Sequence, residues 1–414
     1  MKLSAIIPLY NTNIDYFKQC LQSLAQSSIA KRNELEVIIV NDGSIVDYGE
    51  IEKSYPQFHI FHTENKGTLC ARLYGIEKSS GEYITFVDSD DMLTFDYHEA
   101  MLRTAEQTGA DIVINDWAFW TSHSKYVCSN DTTINSDFLL DGKDVLTKFF
   151  SSCGTEHSYY VLWNKLFRRE TILQAKESID ALNLPKMVYA EDTLTSFFAF
   201  CHAKKIVNTH SGYYFYRIHN DQQIYVTDQN KFINQVRSMA NVFSIMENQL
   251  KNINRYHDLC TMLAKWKNIM VSNQVGIAKH SHFQNMREKI MSIYSVDKIY
   301  PLPSNLQKVY EKHKLLPSNL DEIERLIKQI AFDLPSSTIY AKKKSYAMLR
   351  LNSLCKAFDL RLSISNDKKD SELTFPREIY PMKLRIIHNR FIYKIGMLLF
   401  PKGSKIRKLL KSKI

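Results

Sequence analysis

The chain reads as an α/β protein, a mostly parallel sheet with helices on both faces, followed by an α-helical C-terminal domain. Three observations predict it. Continuous apolar runs at 3–8 (LSAIIP), 36–41 (EVIIVN) and 83–87 (YITFV) have the character of buried strands. The segments between them space their apolar residues by three and four, as one face of a helix does. Beyond about residue 230 the helical spacing continues without intervening strands.

Taken in order, the first strand is followed by a helix over Ile14–Ala25 with Phe17, Leu21 and Leu24 on one face. After the second strand a short third one is expected near His59–His62. A helix over Leu69–Lys78 is closed by Ser79-Ser80-Gly81, and the strand Tyr83–Val87 ends in a run of acids. Phe95–Thr108 reads as helix and Asp111–Trp117 as a further strand. Strand–helix alternation of this kind builds a mainly parallel sheet. Ligands of such sheets sit beyond the carboxyl ends of the strands. The informative residues therefore follow strands: Tyr10-Asn11, Asn41-Asp42-Gly43-Ser44 and Asp88–Asp91. Phe232, Val236, Met239, Phe243, Met246 and Leu250 then mark one helical face, continued by Leu259, Leu263, Trp266 and Met270. These Met and aromatic stripes read as core. Residues 305–360 alternate helical runs with Pro or Ser breaks. The expected division is residues 1–228, a helical domain at 229–381 and a tail at 382–414.

Composition bounds the function. With 414 residues, 44% apolar and 24% charged, the chain has room for two globular domains and is not disordered. Seven cysteines, widely spaced and without a CxxC pair, argue against a disulfide framework and a structural zinc site, and point to a reducing cytosol. The opening MKLSAIIPLYNTN does not read as a signal peptide, and no stretch reaches the roughly 18–20 apolar residues of a membrane span.

The acids after the third long strand carry the chemistry. Asp88 and Asp90, two apart at a strand end, suit one hard cation, Mn²⁺ or Mg²⁺. Such a cation prefers oxygen ligands and leaves positions open for substrate phosphates. Alone, the same acids equally describe a solvated turn or a helix N-cap before Met92.

They do not stand alone. SAIIPLYN, EVIIVNDGS, ENKGTLCARLYGIEKSSGEYITFVDSDD, WNKLFRRE at 163–170 and AEDTLTSFF at 190–198 together resemble the inverting family-2 glycosyltransferases with the GT-A fold, over roughly residues 1–220. The resemblance implies transfer of a hexosyl or N-acetylhexosaminyl group from a nucleotide diphosphate, commonly a UDP-sugar. Pro8, Tyr10 and Asn11 would line the nucleobase pocket, and Asp42 would accept a hydrogen bond from the base. Asn65, Gly67 and Arg72 would lie near the donor, with the planar fork of Arg72 able to meet phosphate. Asp88, Ser89 and Asp90 match the family's metal motif. For Asp91 two roles stand open, binding sugar hydroxyls or capping the next helix. Glu191-Asp192 matches the catalytic pair: Asp192 as the base that takes the acceptor hydroxyl proton, Glu191 in support. The alternative is that both cap the helix near Leu194. The run YYFYRIHND at 213–221 also resembles the family. It implies a late histidine at the metal or diphosphate, His219 first and His210 second. Arg217 would pair with phosphate or with the acids, or equally stand in an exposed ion pair. Trp163, Asn164 and Lys165 are recognisable without a chemical role beyond packing.

From Met382 onward ten Lys and Arg stand without an acid, which leaves 44 basic and 44 acidic residues in the rest. Leu384, Ile387, Phe391 and Ile395 give that segment one apolar face, the pattern of a helix lying on an anionic membrane surface. A solvated basic helix is the other reading; without an RNA-module motif, nucleic acid is not an expected partner. The expected enzyme is cytoplasmic and peripheral on the inner face of the cell membrane. Its acceptor would be lipid-linked or another cell-envelope or capsular glycan, and a homo-oligomer is allowed. Two competitors are weighed. A sugar nucleotidyltransferase would want a Gly-rich loop after the first strand, where Leu9–Asn13 has no glycine. A non-catalytic sugar-binding protein would not need Asp88, Asp90 and Asp192 intact.

Overall fold

The computed structural model describes residues 1–121, 138–152, 157–187, 189–218, 228–280, 283 and 285–299. Its principal sheet has eight strands: β1 (Leu3–Leu9), β2 (Leu35–Asp42), β3 (His59–Thr63), β4 (Tyr83–Phe86), β6 (Ile112–Ile114), β8 (Leu139–Asp141), β9 (Lys165–Arg168) and β10 (Lys205–Asn208). They lie in the order β3-β2-β1-β4-β9-β6-β10-β8. The pairs β3–β2, β2–β1, β1–β4 and β6–β10 are parallel; β9 runs antiparallel between β4 and β6, and β8 is an antiparallel edge. A small second sheet holds β5 (Met92–Leu93), β11 (Tyr214–Ile218) and β7 (Trp117–Thr121), with β11 central.

Alternation of side chains along the central strands divides the core. Ile6, Ile38, Val40, Ile84 and Phe86 face one apolar layer. Ala5, Ile7, Val37, Ile39, Tyr83 and Val87 face the other. This is the period-2 consequence of a strand buried on both sides, and the reason these runs are continuously apolar. The second layer is closed by α1 (Ile14–Ala25), α2 (Ser28–Lys31), α3 (Gly49–Ser54) and α5 (Tyr97–Thr108). The first is closed by α4 (Thr68–Lys78), α6 (Lys143–Ser152), α7 (Arg169–Asp180) and α8 (Glu191–His202).

The helices α9 (Gln229–Asn252), α10 (Tyr256–His280) and α11 (Met286–Tyr294) lie on that same first layer. Their apolar stripes do serve as core. Trp266 is fully buried, its ring 5.0 Å from Phe243 and 5.9 Å from Phe149 of α6. The helical segment thus shares one apolar cluster with the sheet. No helix among the described residues is long and apolar enough to cross a membrane. The tail at 382–414 and residues 300–381 lie outside the described residues.

One core position sets an acid response. His98 on α5 is 1% exposed, and neither ring nitrogen has a hydrogen-bond partner. Burial pushes its pKa down to about 3. The unfolded chain therefore takes up a proton below about pH 6.5 that the folded chain refuses until about pH 3, so stability falls with pH across that window. Between pH 6.5 and 5 the wild type is expected to lose about 1.5–2 kcal/mol to this group. His98→Leu should remove that slope and leave stability at pH 7 equal or higher, since two unsatisfied polar atoms go with it. Urea unfolding at pH 7 and pH 5 checks it, and equal slopes for both proteins would contradict it.

Candidate active site

Because β1, β2, β3 and β4 are parallel, the loops that leave them open on one edge of the sheet. Side chains sew these loops together. Asn11, at a left-handed φ of 50°, accepts at Oδ1 from the Ile45 and Val46 amides at 2.9 and 3.4 Å, and its own amide donates to Ser44 Oγ at 3.1 Å. Tyr48 donates to the Thr12 carbonyl at 2.7 Å, and Thr12 and Ser89 share a hydroxyl hydrogen bond of 2.6 Å. The loop after β1 is thereby fixed to those after β2 and β4. Pro8 is half-buried beside it and Tyr10 is 52% exposed, an aromatic face open at the site.

Asp42 ends β2 and is buried. Its two oxygens accept from the amides of Lys66 and Gly67 at 2.8 and 2.9 Å, which fixes the turn into α4. The carboxylate retains lone pairs for a further donor. Gly43 has φ +72° where an added Cβ would stand 2.8 Å from the Asn65 amide nitrogen, so only glycine permits this approach. Gly67, at φ +93°, enters α4, and Asn65 receives the ammonium of Lys186 on its side-chain oxygen.

The centre of the site is Arg72, from the second turn of α4 and 3% exposed. Its Nη2 donates to Asp88 at 2.8 Å; its Nη1 donates to Glu191 at 3.3 Å and, closer, to Asp192. Residues remote in sequence, after β4 and at the start of α8, are thus brought onto one guanidinium. Burial pushes Asp88 up to about 6, with Arg72 opposing and Asp192 and Asp90 adding to the rise. Burial and then Asp192 push Glu191 up to about 7. Ala190 caps α8 with a left-handed φ of 67° and no side-chain hydrogen bond caps that helix. Glu191 and Asp192 therefore lie inside its first turn, one residue or more beyond the cap.

Asp91 takes neither of its two expected roles. It is fully buried and accepts from the Tyr214 hydroxyl at 2.6 Å and the Arg217 amide at 2.7 Å. The Tyr214 oxygen in turn accepts from the Asp88 amide at 3.0 Å, so β11 holds the acid loop from behind. The Arg217 guanidinium meets backbone and side chains: its Nε donates to the Asp90 carbonyl at 2.6 Å, an Nη donates to Gln19 Oε1 at 2.8 Å, and it covers the Tyr16 ring at 4.3 Å. Trp163 stacks on Tyr214 with centroids 4.7 Å apart. Buried Lys165 donates to the Ser158 carbonyl at 2.6 Å and to Asn164 Oδ1 at 2.9 Å, and Asn164 donates to the Asn115 carbonyl at 3.3 Å. These residues carry the support of the site, which sequence reasoning left without a role. Its sequence signals are the WNKLFRRE run at 163–170 and the aromatic run before Arg217.

His210 is buried, with Nδ1 2.9 Å from Asp116 Oδ2 and Nε2 3.0 Å from the Asn208 amide nitrogen, so both ring nitrogens are already engaged. His219 lies outside the described residues. Among the described residues no group of three or more His, Cys, Asp or Glu is arranged to hold a metal. The oxygen donor set of Asp88 and Asp90 still fits Mg²⁺ or Mn²⁺, which bind through one or two carboxylates together with water and substrate phosphate.

A sheet with its polar side chains gathered at the carboxyl ends of parallel strands is an architecture that receives nucleotides. Comparison with known proteins narrows the class. The profile described as glycosyl transferase family 2 matches residues 4–138. An Escherichia coli K12 protein named as an uncharacterized glycosyltransferase, YibD, is 31% identical over 259 residues, which covers 61% of this chain and 72% of YibD. A Bacillus subtilis 168 protein named as a glycosyltransferase, EpsH, is 32% identical over 222 residues, covering 52% of this chain and 61% of EpsH. The chain thus spans less than two thirds of the length of EpsH. A crystal structure of Staphylococcus aureus TarS 1–349 in complex with UDP-GlcNAc aligns with a TM-score of 0.49 at 18% identity, covering 92% of this chain and 98% of that one. The chain belongs to glycosyl transferase family 2.

Proposed function

We propose that the protein is an inverting glycosyltransferase that moves a hexosyl or N-acetylhexosaminyl group from a nucleotide diphosphate, UDP by the family habit, onto a cell-envelope or capsular glycan. The observation that carries this reading is the convergence of Asp88, Glu191 and Asp192 on Arg72 at the strand-end edge. In this reading Asp88 belongs to the donor side and Asp192 is the acceptor-side base that inversion needs, and their shared contact with Arg72 supports it. The loop of Pro8, Tyr10 and Asn11, with Asp42 beneath it, would take the base. Asn65, Gly67 and Arg72 would flank the diphosphate. Asp88 and Asp90, with Ser89 between them, would hold Mn²⁺ or Mg²⁺, whose contribution when bound is to neutralise the diphosphate as a leaving group. Asp192 would take the proton from the acceptor hydroxyl as its oxygen bonds to the anomeric carbon and the bond to the diphosphate oxygen breaks. Glu191 would position that hydroxyl or Asp192 itself. His219 is the proposed late ligand.

A donor screen tests the reading: release of nucleoside diphosphate from a panel of sugar nucleotides, with Mn²⁺, with Mg²⁺ and with chelator. No release from any donor would overturn it, and release of pyrophosphate from a nucleoside triphosphate and a sugar phosphate would replace it by a nucleotidyltransferase.

Residues 1–228 are proposed as the catalytic domain, 229–381 as a helical domain and 382–414 as a basic tail that rests on the inner face of the cell membrane. Support for the tail is its ten uncompensated basic residues and its apolar face. Deleting residues 382–414 is expected to leave donor cleavage intact, to abolish salt-sensitive flotation with anionic vesicles, and to lower activity on a lipid-linked acceptor. Equal flotation of full-length and truncated protein, or none by either, would remove the membrane reading and leave an oligomer contact or a solvated helix.

A further inference from the structure

Arg72 joins two parts of the site that transfer chemistry would otherwise keep apart. Its guanidinium, 3% exposed, serves Asp88 from the loop after β4 and both acids of α8. Its Nε is buried with no hydrogen-bond partner, so the fork is not saturated by the carboxylates around it. A planar guanidinium can bridge several carboxylates at once, which an ammonium, as a point charge, does less well. Removing it would leave Asp88, Glu191 and Asp192 facing one another in a buried site, and buried charges without a partner are costly. The same positive charge repels any second cation drawn to Asp88.

Building on the metal reading above, we infer that Arg72 is a built-in counter-cation that competes with the divalent cation for Asp88. Cation uptake at Asp88 then requires Arg72 to loosen its hold there, and the released fork with its free Nε is available to an anionic diphosphate. Metal and diphosphate so assist each other through one side chain: each binds better once the other has arrived. In the unliganded protein the acids stay paired and the site resists stray cations.

The test is a Mn²⁺ titration of the full-length protein without nucleotide, with free Mn²⁺ followed by electron paramagnetic resonance. An opposite charge within a few ångströms shifts the cation affinity of a carboxylate by about ten- to a thousandfold, as protonation shows. Arg72→Met is therefore expected to bind Mn²⁺ about tenfold or more tightly than wild type. Arg72→Lys, which keeps the charge, should stay near wild type, and Arg72→Met combined with Asp88→Asn should lose the gain. Addition of UDP should tighten Mn²⁺ binding more in wild type than in Arg72→Met. If Arg72→Met does not fold, as judged by circular dichroism, Arg72→Gln keeps donors for the carboxylates and carries the same expectation. Mn²⁺ binding by the neutral variants equal to or weaker than wild type would overturn the inference, as would a gain that survives Asp88→Asn. Failure of wild type to bind Mn²⁺ even with UDP present would overturn the metal reading itself, and this inference with it.

Discussion

Asp88→Asn and Asp90→Asn are each expected to lower turnover by roughly a hundredfold or more and to weaken donor binding measured with metal present. A diphosphate leaves poorly until its charge is met, and a carboxylate-held divalent cation meets it with several kcal/mol, where about 1.4 kcal/mol is tenfold in rate. The two substitutions should differ in their side effects. Asp88 accepts from Arg72 and sits with burial pushing it up to about 6, so its loss also frees the guanidinium toward Glu191 and Asp192. Asp90 lends its carbonyl to Arg217, a contact that the amide variant keeps. Asp88→Asn should therefore disturb both the donor and the acid pair, and Asp90→Asn the donor alone. The measurement is initial-rate kinetics against Mn²⁺ concentration, paired with calorimetric donor binding with and without chelator. Full activity of both variants under rigorous chelation would remove the metal from the reading.

The sequence exposes some parts of this architecture and conceals others for physical reasons. Strands β1, β2 and β4 are buried on both faces, so they are written as mainly apolar runs that can be read directly. Helix α1 is readable because one stripe faces the core and the Asn13 side chain caps it, accepting from the Asp15 and Tyr16 amides. By contrast, Asp111–Trp117, read as one strand, divides between β6 in the large sheet and β7 in the small one. The break falls at Asn115-Asp116, a buried polar pair whose amide and side chain bond to each other and to the Ser211 carbonyl, contacts made only in the folded chain. Likewise β9 is four residues of mixed character, and its antiparallel place between β4 and β6 follows from neighbours and not from its own pattern.

In the site the same distinction holds. Asp88, Arg72 and Asp192 stand at motif positions in the sequence, and the structure brings them into one ion-pair cluster. That Arg72 turns onto carboxylates instead of open space could not be read from its place in ENKGTLCAR. Asp91 was ambiguous because its partners, Tyr214 and the Arg217 amide, come from β11 far down the chain. Its neighbour Asp90 looks alike in sequence and is only partly buried where Asp91 is fully so, which is why a run of acids does not announce which member is scaffold.

Asp192→Asn is expected to lower turnover by about 10²–10⁴-fold, the usual worth of a positioned general base. An amide is nearly the same shape as the carboxylate and cannot take the acceptor proton, so geometry stays while the proton's destination is lost. Arg72 would keep Asp88 and Glu191 as partners, at 2.8 and 3.3 Å, and the turn that Asp42 fixes does not touch Asp192. Donor affinity should therefore change little, and the loss should fall on kcat with acceptor saturating. Glu191→Gln gives the comparison: if Glu191 only supports the base, its variant should fall less in kcat than Asp192→Asn and more in acceptor KM. Single-turnover rates on bound donor, beside calorimetric donor binding, separate these outcomes. A collapse of donor affinity with turnover surviving on bound donor would place Asp192 on the donor side and leave the base to be found elsewhere, with Glu191, pushed up to about 7 and sharing the same guanidinium, the next residue to test.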